Sequence, residues 1–226
     1  MITSECYHRT LRIQYRANVG TAFIADIDGE EWVVTAKHLV EGMTPNDKLG
    51  VWQDGGWKEL ELSAVVFGVD GEDIALLSPE VPMASPEMRV PFQTAGMVYA
   101  SDCYLLGYPY EPIDDRGMNR GLGLPFVTKG CISAYDLDKH LLFADITNNY
   151  GFSGGPLIVP TGVAKPRFQC IGIVQGQVMQ EEGGSVRVNG QEVPFDYDVP
   201  VGLSVAIAAD AAIKAVKRQS NDTGSI

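Results

Sequence analysis

Positive charge is the first thing this sequence is short of. Lysine and arginine number 17 against 29 aspartates and glutamates in 226 residues, a formal net charge of −12. Binding a phosphate backbone needs clustered cations, so this balance argues against nucleic acid as a partner. An anionic membrane surface is disfavoured for the same reason. A neutral or basic peptide partner stays open. Long apolar runs are missing too, and nothing approaches the 18 residues of a membrane-spanning helix. Glycine at 25 and proline at 13 fall short of collagen-like or low-complexity levels, and 45% hydrophobic residues suit a folded chain with a sizeable core.

Cysteine is scarce. The four residues Cys6, Cys103, Cys131 and Cys170 are far apart, with no CxxC and no zinc spacing, so no metal site is expected. An even count permits two disulfides. The N-terminus MITSECYHRT has neither an apolar core nor a cleavage site of a secretory signal. Four reduced thiols and a cytoplasmic location are therefore expected.

Helical periodicity is equally sparse. Short β-type runs alternate with turn dipeptides: residues 21–27 (TAFIADI), then Asp28-Gly29, then residues 31–36 (EWVVTA) read as a hairpin. Asp54-Gly55, Asp70-Gly71 and Asn189-Gly190 mark further turns. Strands at this spacing suggest a sandwich or barrel. One helix is expected, over residues 208–218 (AADAAIKAVKR), with Ile213 and Val216 on one face and cations at its C-terminal end. Residues 78–92 hold Pro79, Pro82, Pro86 and Pro91, which read as a linker because proline removes ladder donors. The expected division is residues 1–77, a linker over 78–92, residues 93–207, and a terminal helix and tail over 208–226. Residues 111–121 (EPIDDRGMNRG) read as a surface loop.

Three local patterns could carry chemistry. His38 ends an apolar run in TAKHLV; alone, such a histidine is more often structural. Asp73, in GEDIALL, reads alone as a turn acid or strand-end cap. Ser153 sits in YGFSGGPL. Glycines on both sides let that loop adopt angles closed to other residues and aim the N–H groups of Gly151 and Ser153 at one point, as an oxyanion hole requires. The plain alternative is a glycine-rich turn.

Taken together, the order His, Asp, Ser is more specific than its parts. TAKHLV, DIALL and GFSGGPL resemble the Thr-Ala-x-His, Asp-(Ile/Leu)-Ala-Leu-Leu and Gly-x-Ser-Gly-Gly-Pro elements of the chymotrypsin/trypsin superfamily of serine peptidases. GTAFI, YLLGYP, GCISA, CIGIV and GLSVAI resemble its core strands, the last as in bacterial high-temperature-requirement-type catalytic domains, here expected to be without a PDZ domain. The resemblance covers about residues 17–218. It implies an all-β fold of two antiparallel six-stranded barrels with a C-terminal helix, the active site lying between them. It implies Ser153 as nucleophile, His38 as base, Asp73 as its orienting acid, and the Gly151 and Ser153 amides as oxyanion donors, with no metal or organic cofactor. The substrate is then a protein or peptide, and a regulatory protein partner is compatible with a free-standing domain.

Two positions depart from the pattern. Where digestive members carry an aspartate that pairs with a newly cut N-terminus, this chain has Phe152, so no activation cleavage of that kind is expected. Where trypsin-like members carry an acid at the pocket floor, six residues before the nucleophile, this chain has Thr147. Cleavage after lysine or arginine is disfavoured, because the charge would be desolvated without a counter-ion. Gln175, Gly176 and Gln177 are expected to pair with the substrate backbone. The main reading is a serine endopeptidase. The other is a binding or sensing module on a peptidase fold with a silent or partner-gated site.

Overall fold

A computed structural model describes residues 2–69, 71–109, 123–162 and 167–223. The segment 111–121, read as a loop, lies outside these. Seven strands form the first sheet: β1 (Thr10–Tyr15), β2 (Asn18–Ile27), β3 (Glu30–Thr35), β4 (Leu49–Gln53), β5 (Gly56–Leu60), β6 (Leu62–Phe67) and β7 (Ala75–Pro79). Six more close into a barrel: β8 (Asp102–Gly107), β9 (Phe126–Asp136), β10 (Leu141–Asp145), β11 (Pro156–Thr161), β12 (Arg167–Val188) and β13 (Gln191–Ala208). All the strand pairings of both sheets are antiparallel.

The fold is that of the chymotrypsin-like double barrel, with one correction to its first half. That half is a seven-stranded sheet ordered β5-β4-β1-β2-β3-β7-β6, and it stays open. The extra strand, β5, folds back on β4 through Asp54-Gly55 and is largely exposed, so it makes an edge and not a closing stave. The turn dipeptides behave as their chemistry requires. Asp28-Gly29, Asp54-Gly55 and Asn189-Gly190 each have positive φ at both residues, the conformation of a type I′ hairpin turn.

Two helices flank the strands. A short α1 (Ser4–His8) precedes β1 and is absent from the sequence reading; its Cys6 is buried. The C-terminal α2 (Ala209–Thr223) runs beyond the expected end. Ala211, Ala212, Ala215 and Val216 pack it into a cluster that also takes Phe23, Val34 and Leu76 from the first sheet and Leu106, Ile158 and Ile173 from the barrel. A separate cluster lies within each half. The proline-rich segment is more than a tether: Val90 and Phe92 are buried in the shared cluster, Phe92 bridges to Cys170, and its ring stacks on Phe23 at 6.4 Å. This shared core joins the two halves along one seam. Cys6, Cys103, Cys131 and Cys170 are all free thiols. Burial pushes the Cys103 thiol up to about 12, which keeps it protonated and inert.

Candidate active site

β3 delivers the histidine. Trp32, Val33, Val34 and Thr35 are buried and anchor the strand. The chain then turns through a single helical turn (Lys37–Leu39) whose Leu39 points inward. His38 sits on that turn with 48% of its side chain exposed. Asp73 lies two residues before β7, next to Ile74, which is fully buried and whose carbonyl accepts the Gly68 N–H at 2.8 Å.

Both Asp73 oxygens bind His38. Oδ1 accepts the His38 backbone N–H at 2.8 Å, and Oδ2 lies 2.7 Å from ring Nδ1. An ionised carboxylate only accepts, so Nδ1 is assigned the proton and Nε2 keeps its lone pair. The Asp73 hydrogen bond holds the imidazole pKa above its usual 6.5. Partial burial pulls the other way, and the carboxylate charge adds to the rise.

The serine loop is held from several sides. Phe152 is 1% exposed and lies on Gly107, where an added Cβ would come within 2.7 Å of the ring. Gly151 and Gly154 have φ of 95° and 83°, open to glycine and strained for other residues. A Cβ on Gly154 would also strike the Thr21 carbonyl, Thr35 Oγ1 and the Ala36 nitrogen. The residue after Ser153 therefore packs against the chain two residues before His38, which brings the two to the same seam. Asp73 reaches it through His38.

Thr21 is the residue the sequence reading missed. Its N–H donates to the Ser153 carbonyl at 3.0 Å, and its hydroxyl donates to the Gly151 carbonyl at 2.7 Å while accepting the Tyr108 N–H at 3.0 Å. Gly154 N–H donates to the Val174 carbonyl at 2.7 Å. Among the described residues, the Gly151 and Ser153 amides have no acceptor. In a strand pattern Thr21 reads as an ordinary position; that it is fully buried emerges only once the barrel packs on β2. Thr21→Val keeps the shape and loses the hydroxyl. It is expected to lower kcat/KM by about 10–10² with KM little changed, while Thr21→Ser retains most activity. Steady-state kinetics of the two variants check this.

The Ser153 hydroxyl donates to the Gln175 carbonyl at 3.0 Å and not to His38. Gln175, Gly176 and Gln177 are half-buried on β12, which bulges at Val174/Gly176 and Gln177/Met179. A Cβ on Gly176 would meet nothing within 4 Å, so open space adjoins that strand. Thr147 is exposed, and the neighbouring Asn148 is buried.

A family model described as a trypsin-like peptidase domain matches residues 20–164. Among solved structures, the inactive form of the Rv3671c protease is similar at 18% identity with a TM-score of 0.58, covering 94% of this chain and 89% of that one. The HtrA-type protease AlgW with a tripeptide is similar at 20% identity with a TM-score of 0.60, covering 95% of this chain. A variant of that protease, AlgWS227A with a tripeptide, gives 21% identity and 0.59. This chain spans 60% of the length of either AlgW chain. No curated protein matches.

Proposed function

The chain belongs to the trypsin-like peptidase family, and on that premise we propose that it is a serine endopeptidase with Ser153 as nucleophile. The observation that carries this reading is the double grip of Asp73 on His38, which fixes the ring and leaves Nε2 as a base. In the reaction, the Ser153 hydroxyl turns from the Gln175 carbonyl to His38, which takes its proton as Oγ attacks the scissile carbonyl. Hydrogen bonds of this kind often tighten only when substrate binds. The oxyanion forms at the unpaired Gly151 and Ser153 amides. His38 then protonates the leaving amine, and water resolves the acyl-enzyme by the same steps. Thr21 and the buried Phe152 hold the loop, so no ion pair with a cut N-terminus is required.

Gln175, Gly176 and Gln177 pair with the substrate backbone in this reading, and Thr147 lines a pocket without an acid. Small aliphatic or neutral polar residues are expected at the cleavage position. On a peptide panel, Val, Ala or Thr should be cleaved at least about tenfold faster than Arg, which would enter without a counter-ion; preferential cleavage after Arg contradicts the assignment.

The resting bond from Ser153 to Gln175 favours a second reading, a peptidase-fold module whose site is silent until a partner moves the hydroxyl. Profiling cut sites in a proteome digest separates the two. The enzyme yields new termini with the wild-type chain and none with Ser153→Ala; the module yields none with either.

A further inference from the structure

The two longest strands, β12 and β13, run on beyond the barrel they help to close. β12 pairs with β11 only as far as Ile173, and β10 pairs with β13 only from Leu203 onward. Between them the two strands continue as a two-stranded ribbon, paired without a break from Met179↔Pro200 to Val188↔Gln191. Residues opposite one another in such a pair share a face, and faces alternate along the strand. One face carries Val186, Val188, Val193, Phe195, Tyr197 and Val199, with Glu182 its single carboxylate. The other carries Glu181, Glu192, Asp196 and Asp198, with Arg187 the single cation. Side-chain bonds agree with this sorting: Ser185 donates to Glu192 on the acidic face, and Tyr197 to Glu182 on the apolar one. Phe195 and Tyr197 pack ring to ring at 5.6 Å yet are 47% and 44% exposed. A two-stranded ribbon with one bare apolar face is marginal in water and gains from a third strand.

Its two edges differ. β13 carries Pro194 and Pro200, which lack the N–H that an added strand would use and so blunt that edge. The ribbon part of β12 contains no proline. Beyond Val174, β12 has no backbone neighbour but β13 among the described residues. That open edge begins at Gln175, whose carbonyl holds the Ser153 hydroxyl, and runs out through Val188. At about 3.3 Å per residue it extends roughly 40 Å.

We propose that the substrate chain, beyond the residues that pair with Gln175, Gly176 and Gln177, continues toward its N-terminus as a third, antiparallel strand on the open edge of the ribbon from Met179 to Val188. An antiparallel strand whose C-terminal end lies at Ser153 places its N-terminal residues toward Val188. Main-chain bonds supply general affinity, and alternate side chains supply selectivity. Those on one face meet Phe195, Tyr197 and the valines; those on the other meet the four carboxylates. The substrate class is therefore an extended, unfolded segment in which apolar and basic residues alternate. This rests on the assignment of Ser153 as nucleophile.

The test is a peptide series with one cleavage sequence and N-terminal extensions of about four, eight and twelve residues, alternating Val or Phe with Lys. Across the series kcat/KM should rise about tenfold or more, driven by KM. Equal extensions on the C-terminal side, or N-terminal ones alternating with Glu, should give little rise. Glu181→Lys combined with Asp198→Lys, both exposed, should invert the preference from Lys to Glu. Binding of the same peptides to Ser153→Ala, followed by fluorescence anisotropy, should show the same length dependence without relying on turnover. Length-independent binding, an equal rise from the C-terminal side, or indifference to the charge reversal overturns the proposal. So does sedimentation showing that the ribbon is buried between two copies of the chain. Failure of the shortest peptide to be cleaved, with length-dependent binding intact, points instead at the nucleophile assignment.

Discussion

Ser153→Ala and His38→Ala are each expected to lower kcat/KM by about 10⁴–10⁶, and the double variant to lose no more than either alone. The reason is that nucleophile and base act as one unit. Without His38 the Ser153 proton has nowhere to go, and the hydroxyl remains on the Gln175 carbonyl, an acceptor that cannot take a proton at neutral pH. Without Ser153 the imidazole has no attacking group to activate. Residual catalysis should then come from the Gly151 and Ser153 amides, which do not depend on either side chain. Active-site-normalised kinetics on one peptide measure all three variants. Independent, multiplying losses in the double variant would mean that the two residues do not work together.

Asp73→Asn is expected to cost about 10⁴ in kcat/KM with the fold intact. The amide oxygen can still accept the His38 backbone N–H now held at 2.8 Å by Oδ1. The amide nitrogen then faces Nδ1 as a donor, so Nδ1 must accept and the ring proton moves to Nε2, where it blocks base function. The pH profile should change as well. In the wild-type chain the Asp73 hydrogen bond raises the His38 pKa above 6.5, and the base works only when neutral, so activity falls as pH drops through a value above 6.5. Removing the carboxylate withdraws both raising contributions and leaves the lowering effect of burial, so the acid limb moves to lower pH. A limb unmoved in Asp73→Asn would show that the titrating group is not His38.

Much of this was legible because the signals were local. His38, Asp73 and Ser153 each sit beside their own strand end or glycine turn, and the Asp-Gly and Asn-Gly dipeptides announced three hairpins by their backbone requirements. The open first sheet was not legible, since whether a sheet closes depends on its edges meeting across space, and β5 reads like any other short strand. α1 was missed because five residues carry no periodicity. Thr21 was missed for a different reason: its role lies in a hydroxyl that crosses from one half to the other, which neither alternation nor composition records. The extent of the ribbon likewise escaped notice. VRV, Asn189-Gly190 and QEVPF showed a hairpin, but only the register shows its valines and aromatic rings gathered on one face and all its carboxylates but Glu182 on the other.

The central claim is that Ser153 is an activated nucleophile. Intact-mass analysis after treatment with a fluorophosphonate tests it most directly. One adduct per chain, mapped to Ser153 by peptide digestion and absent from Ser153→Ala and His38→Ala, is the result expected from the geometry of this seam. A folded wild-type chain that takes up no adduct, or takes it up equally without His38, would contradict it.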